Sequence, residues 1–411
     1  MAHKTSKRFL LMWVCFAVSY SLAAQKKIDA DPSQMRMLIE EQLQKASRQY
    51  RYFCTQVNDS LFPRTVKADG TLENSKSWWW CSGFFPGTLL YLCKNSMDDS
   101  LYREALRRLS LLEKEQYNKG THDLGFMMYC SFGNALKMSY NKRYEKILLQ
   151  SARSLASRFS PVTGCIRSWN PKKPDEFLVI IDNMMNLELL FYATRVTGDS
   201  SFYKIAVSHA GQTMKHHFRP DYSSYHVVEY SENTGAVTRK RTHQGYSDAS
   251  AWARGQAWAL YGYTMMYREA KDEQYLAQAN KIAAFILHHP RLPKDKIPYW
   301  DFDAPDIPHA LRDASSTSVI ASALIELSQY NYNKAALQRE YLEVAAQMIR
   351  SLSSPEYFTK YKEARGFLLK HSVGSLPHDS EVDVPLTYAD YYYVEALMRY
   401  KDLVSEKTAF Q

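Results

Sequence analysis

Residues 184–217, "MMNLELLFYATRVTGDSSFYKIAVSHAGQTMKHH", carry the signal that decides the fold. Apolar side chains recur at helical spacing over 184–196, break at "VTGDSSFY", and resume over 201–217. Gly198, Asp199 and the serines that follow supply stop-and-cap chemistry at the junction. So short a connection joins antiparallel neighbours, and the stretch reads as a helical hairpin.

The pattern repeats outward in both directions. "EAKDEQYL" joins helices over 250–270 and 273–288 in the same way, and helical periodicity covers 34–57, 101–116, 126–138, 142–158, 315–329, 335–351 and 388–404, with a short helix near 83–93. About a dozen helices in successive hairpins, with no linker rich in Pro, Gly or Ser, predict one domain over 24–411. The economical closure is all-α, an (α/α)6 barrel of six inner and six outer helices. In that arrangement the loops at the inner helices' N-termini surround one funnel. An open helical solenoid is the alternative for such a pattern.

Composition narrows the function. The chain has 411 residues, 45% of them apolar, enough for a large core, and its 30 Tyr and 8 Trp suit a cleft that stacks flat rings. Lys4, Lys7 and Arg8 precede the apolar run "FLLMWVCFAVSYSLAA" and a small-residue cleavage site, so 1–23 reads as a signal peptide and the mature protein as exported, periplasmic and not inserted in a membrane. The net charge of +9 loses three with that segment, and the remaining basic residues are dispersed. Such a surplus fits an acidic substrate and does not indicate nucleic acid. Cys54, Cys81, Cys93, Cys130 and Cys165 lack metal-type spacing, and neither a metal nor a cofactor is expected.

Two carboxylates precede helices. Asp123, in "GTHDLGF", reads either as an N-cap for the helix near Phe126 or as a pocket acid. Asp182 follows the apolar run "FLVII", whose burial should raise its pKa and hold a proton on it near neutrality. Arg254 and Trp258 lie one turn apart on one helix with Trp252 close by, an arrangement that clamps a carboxylate beneath an indole or else pairs Arg254 with a structural acid such as Asp248. The three indoles of "SWWWCSGFFPG" are too many for a surface loop unless they line something. His226 reads as a core histidine with satisfied nitrogens, the commoner fate of a lone His, and Arg312-Asp313 as a loop ion pair and helix cap.

Six ordered segments, "WWWCSGFFPGTLLYL", "HDLGFMMYCSFGNAL", "IIDNMMNLELL", "THQGYSDASAWARGQAWALYGYT", "DFDAPDIPHALRDASSTSVIASAL" and "GSLPHDSEVDVPLTYADYYYVEAL", together resemble the unsaturated glucuronyl hydrolases, glycoside hydrolase family 88. The resemblance implies an (α/α)6 barrel acting on lyase-generated glycosaminoglycan oligosaccharides that end in a 4,5-unsaturated uronic acid. It implies Asp182 as acid/base and Asp123 as the second essential carboxylate. Uronate contacts fall to His122, His226, Gln244, Arg254 and Trp258, with Trp80 and Trp252 as aromatic walls. The implied chemistry is hydration: Asp182 protonates C4 of a vinyl ether, water adds at C5, and the hemiketal opens to release the remaining sugar.

In the late loop, relatives that prefer sulfated substrates carry Ser-x-x-Ser followed by Lys. Here Ser372 and Ser375 are present, the Lys is absent, and Lys370 and His371 are the candidates to replace it. The unsaturated rhamnogalacturonyl hydrolases share the barrel, but "WARGQAW" favours the glucuronyl group. A sugar 2-epimerase would depend on facing histidines, and a non-catalytic glycan-binding protein would gain nothing from an acid buried after "LVII".

Overall fold

The computed structural model describes residues 32–409, and the leader expected over 1–23 lies outside them. The hairpin at 184–217 and its repeats give twelve α-helices among these residues. They are α1 (Pro32–Cys54), α2 (Phe84–Ser96), α3 (Asp99–Leu112), α4 (Asn134–Met138), α5 (Lys142–Ala156) and α6 (Glu188–Thr197) in the first half. The second half holds α7 (Ser200–His216), α8 (Ala253–Ala270), α9 (Glu273–His288), α10 (Ala314–Tyr330), α11 (Ala335–Leu352) and α12 (Thr387–Ala409). Side-chain carboxylates or amides of Asp98, Asn141, Asp199, Asp272 and Asp313 accept backbone N–H groups at five of the N-termini, each cap contributing about 1 kcal/mol.

In the inner ring α2 contacts α4 and the π-helical stretch Gly125–Gly133 that leads into it, that stretch contacts α6, and α6, α8, α10 and α12 follow in sequence, with α12 returning to α2. Each odd-numbered helix packs outside its hairpin partner, with α1 against α12, so the chain is an (α/α)6 barrel. Residue type follows position. Residues 253–266 of α8 and 314–328 of α10 are buried on every side, whereas outer α5 buries the stripe Ile147, Leu148, Ser151, Ala152 and Leu155 and leaves its other face wet.

Three helix starts lie later than expected, and each displacement shapes the funnel. The helix expected from residue 250 begins at Ala253, because Asp301 Oδ2 holds the preceding loop through Tyr246 N–H (2.9 Å) and Ser250 O–H (2.7 Å). The one expected over 126–138 enters through a π-helical stretch, Gly125–Gly133, while a 3-10 turn, Ile181–Asn186, precedes α6. These two meet directly: Asn186 Oδ1 accepts Phe126 N–H at 2.9 Å. A Cβ on Gly125 would lie 2.4 Å from Asn186 Cα, so glycine is required for that approach.

Antiparallel strands rim the mouth. They are β1 (Phe62–Val66) with β2 (Leu72–Ser75), β3 (Phe159–Ser160) with β4 (Cys165–Ile166), the sheet β5 (Glu176–Ile180), β6 (Val227–Ser231) and β7 (Val237–Arg241), and the hairpin β8 (Ser372–Ser375) with β9 (Ser380–Val384). The "FLVII" run is β5, whose pairing with β6 sets Ile180 opposite Val227, next to His226. Cys54, Cys81, Cys93, Cys130 and Cys165 are all free thiols.

Candidate active site

A cavity of about 330 Å³ opens at the inner helices' N-termini. Asp182 and Asp123 lie in its wall, with His122, Arg254, Gln244, Trp80 and Ser375 from the expected set. Asp182 follows β5 directly, and its side chain is only 14% exposed. Burial pushes its carboxyl up to about 7, against the opposing pull of Arg254. Its Oδ2 has no hydrogen-bond partner among the described residues.

Groups poised to receive the anion surround that carboxyl. His226 Nδ1 accepts the backbone N–H groups of His243 and Gln244, both at 3.2 Å, so its proton resides on Nε2, 3.6 Å from Asp182 Oδ2. Desolvation holds His226 well below its usual range, which keeps it a neutral donor. Trp258 Nε1, otherwise without a partner, is directed at the same carboxyl. His226 is therefore neither a fully satisfied core residue nor a cavity-lining one. It stands behind Asp182.

Asp123 does not cap the helix beside it, since the Phe126 N–H is already bonded to Asn186. Its Oδ2 instead accepts Thr121 O–H at 2.6 Å, and its Oδ1 lies 3.3 Å from His122 Nε2. Asn183, next to Asp182, donates its amide to Ile166 O at 2.9 Å.

Several expected contacts fall elsewhere. Trp258 is fully buried among Phe126, Tyr388 and Tyr392, with no face open to a sugar. Trp252, 2% exposed, is sandwiched against the His226 ring and the Arg254 guanidinium rather than forming a wall. Arg254 does not pair with Asp248. Its guanidinium bonds the carbonyls of Val373 and Gly374 and lies 3.5 Å from Asp313, because the β8 hairpin folds over the start of α8.

Asp248 serves Arg239 and the Thr242 N–H. Asp313 caps α10, while Arg312 pairs with Asp295. Ser372 is wholly buried, with its hydroxyl turned inward, and only Ser375 reaches the cavity. Lys370 donates to Pro355 O and His371 pairs with Asp383, and neither lines the cavity. Of the three indoles, Trp79 and Trp80 line the cavity and Trp78 is exposed.

Sequence reading passed over Arg64, Trp169, His243, His378, Glu381 and Tyr388, all in the wall. Arg64 lies over Trp79 and bonds Glu381 across more than 300 residues of chain. Local periodicity carries no signal for such a pair. Tyr388 and His378 lie within the late segment quoted for the resemblance, and the "LPH" turn was the one available cue.

Residues 52–403 match the model of Glycosyl Hydrolase Family 88. An unsaturated glucuronyl hydrolase of Formosa agariphila is 46% identical over 352 residues, covering 85% of this chain and 86% of the relative. Among solved structures, an unsaturated glucuronyl hydrolase specific for heparin superposes with a TM-score of 0.86 at 46% identity, covering 89% of this chain and 97% of the other. A Streptococcus agalactiae unsaturated glucuronyl hydrolase variant complexed with dGlcA-GalNAc6S gives 0.76 at 27% identity, over 90% and 95% of the two chains.

Proposed function

Because the chain belongs to glycoside hydrolase family 88 and is an unsaturated glucuronyl hydrolase acting on glycosaminoglycan-derived unsaturated oligosaccharides, we propose that Asp182 starts the reaction as a proton donor to C4 of the terminal uronate. The observation that carries this reading is a carboxyl in a cavity wall that burial raises to about 7, whose Oδ2 has no hydrogen-bond partner among the described residues and whose neighbours are donors. The substrate's C4=C5 bond is a vinyl ether conjugated with the carboxylate. Protonation at C4 leaves a cation at C5 stabilised by the ring oxygen. As the proton leaves, Asp182 becomes an anion facing His226 Nε2–H, Trp258 Nε1–H and the Arg254 charge. Those interactions strengthen with the developing charge and so lower the barrier.

Water then adds at C5, guided by the Asp182 carboxylate, with Asp123 orienting it from the far side of the His122 contact. The resulting hemiketal opens and expels the next sugar as an alcohol. Arg254 places the uronate carboxylate through its remaining donor edge, while Trp80 and Gln244 border the ring. We also propose that 1–23 is a signal peptide removed on export to the periplasm, which N-terminal sequencing of the secreted protein checks.

Isotope labelling tests the reaction. In water carrying heavy oxygen, the label belongs on the C5 carbonyl of the ring-opened product sampled before exchange, and deuterated water leaves deuterium at C4. Label at C1 with C4 untouched means direct attack on the anomeric carbon and overturns the hydration route.

A further inference from the structure

A second cavity, of about 380 Å³, opens on the outside of the barrel between α1 and the segment that follows α11. It shares no wall residue with the cavity around Asp182. Volumes of about 300–1,000 Å³ are typical of small-molecule sites. The wall has two unlike parts. Its neutral polar side chains other than Tyr361 are consumed by the protein itself. Gln49 donates to Thr359 Oγ1 at 3.2 Å and accepts the Lys362 N–H at 2.9 Å, Thr359 donates to Phe367 O at 2.6 Å, and Ser353 donates to Ile349 O at 2.6 Å. That leaves hydrocarbon, from Phe358, Pro355 and the Tyr361 ring.

The other part is a rim of positive charge. Lys45, Arg48 and Lys360 line the cavity, and no acid does. Lys45 is held by Glu41 at 2.7 Å. Arg48 instead lies 4.0 Å over the Tyr361 ring, and neither it nor the Lys360 ammonium has a carboxylate partner among the described residues. Lys362 stands 5.5 Å from the same ring. Of the nearby acids, Glu363 accepts the Lys360 N–H at 2.7 Å, and Glu356 acts on Tyr357 and His371.

We propose that this cavity binds the anion of a free fatty acid, its chain against Phe358 and Pro355 and its carboxylate between Arg48 and Lys360. Charge complementarity and the spent hydrogen-bond groups together select that class. A sugar would bury hydroxyls against a wall with only the Tyr361 hydroxyl to pair them, an unfavourable exchange. A neutral or cationic amphiphile fills the hydrocarbon part but leaves the two free cations unanswered. An anion with a hydrocarbon body uses both, and its carboxylate gains charge-assisted hydrogen bonds from guanidinium and ammonium. The site stands apart from the reaction at Asp182 and requires nothing of it.

The experiment is calorimetric titration of the mature protein with octanoate, decanoate and dodecanoate below their micellar concentrations. Binding should saturate, and each pair of added methylenes should tighten it about tenfold until the cavity is filled. Dodecyltrimethylammonium, of opposite charge, should bind about tenfold more weakly than dodecanoate. Arg48→Glu/Lys360→Glu should weaken dodecanoate by about tenfold or more. The same variant should keep its kcat/KM for an unsaturated disaccharide, since neither residue touches the Asp182 cavity. Lys360→Glu alone, at an exposed position, carries the test if the double variant folds poorly. Equal affinity for the anionic and cationic amphiphiles, or unchanged affinity in the charge-reversed variants, overturns the proposal. So does the absence of saturable binding. Cosedimentation with phosphatidylglycerol vesicles that charge reversal abolishes, without saturable binding of dodecanoate, assigns the cavity to a membrane surface instead and overturns it as well.

Discussion

Asp182, ahead of α6, and Asp390, in the first turns of α12, are both carboxyls that burial pushes up to about 7. Their oxygens are treated differently. Asp390 accepts Leu368 N–H at 2.9 Å, Leu369 N–H at 3.0 Å and Tyr50 O–H at 3.1 Å, and so fastens α1 and the segment before β8 to the barrel. Three donors replace part of the hydration that burial removed and oppose its upward push on the pKa. Asp182 keeps an unpartnered oxygen at a cavity wall. A raised pKa is common to the two sites, and the unfilled hydrogen-bond capacity separates an acid held for chemistry from one held for structure.

The largest expected effect breaks the comparison at its functional end. Asp182→Asn preserves shape but removes the transferable proton, and kcat should fall by about 10²–10⁴-fold with the fold intact. Near-full turnover in that variant, measured by loss of the conjugated double bond's ultraviolet absorbance, would remove Asp182 from the mechanism.

At the structural end, Asp390→Asn should leave turnover per folded molecule close to wild type. Its amide would set N–H against N–H at one of the two backbone contacts, with Leu368 or Leu369, and denaturant unfolding should show a loss of about 2–3 kcal/mol. Lost turnover in fully folded Asp390→Asn would collapse the distinction between the two acids.

A pH profile sharpens the same contrast. The neutral form of Asp182 is the donor, so kcat/KM for an unsulfated substrate should decline above pH about 7, approaching tenfold per unit. Asp390→Asn should leave that limb where it is. Displacement of the limb by that variant would assign the titration to the wrong carboxyl.

What could be read from the chain follows the range over which each signal acts. The hairpins were legible because caps such as Asp199 and Asp272 lie within two residues of the amides they bind. Asp182 was legible because the apolar run that buries it is its immediate neighbour, β5. Depth within the barrel was not. Trp258 and Arg254 do lie one turn apart, but α8 is buried around its whole circumference, so no polar stripe marks which side faces the funnel. Trp252, expected as an aromatic wall, and Trp258, expected as a uronate contact, consequently stand behind the site, whereas Trp80 lines it. The hairpin carrying Ser375 and His378 meets Arg254 and His243 only through closure of the ring, more than 100 residues along the chain.

The smallest expected effect concerns stability, and here Asp182 and Asp390 should respond with opposite signs. Asp182 has a folded-state pKa of about 7, above the ordinary carboxylate value of 3.8, so the folded protein binds the extra proton and loses stability as pH rises through that window. Asp182→Asn mimics the neutral form at all pH values. Its advantage should be absent below pH about 4 and grow toward pH about 7. The difference between 3.8 and about 7 caps the gain at about 4 kcal/mol. The side chain retains 14% exposure to a wet cavity, which screens the penalty, and a gain of about 1–2 kcal/mol at pH about 8 is the expected value. Denaturant midpoints of wild type and variant at the two pH extremes measure it. A variant destabilised equally at both would mean that the Asp182 carboxylate is already satisfied in the resting enzyme, and the contrast with Asp390 would then lose its physical basis.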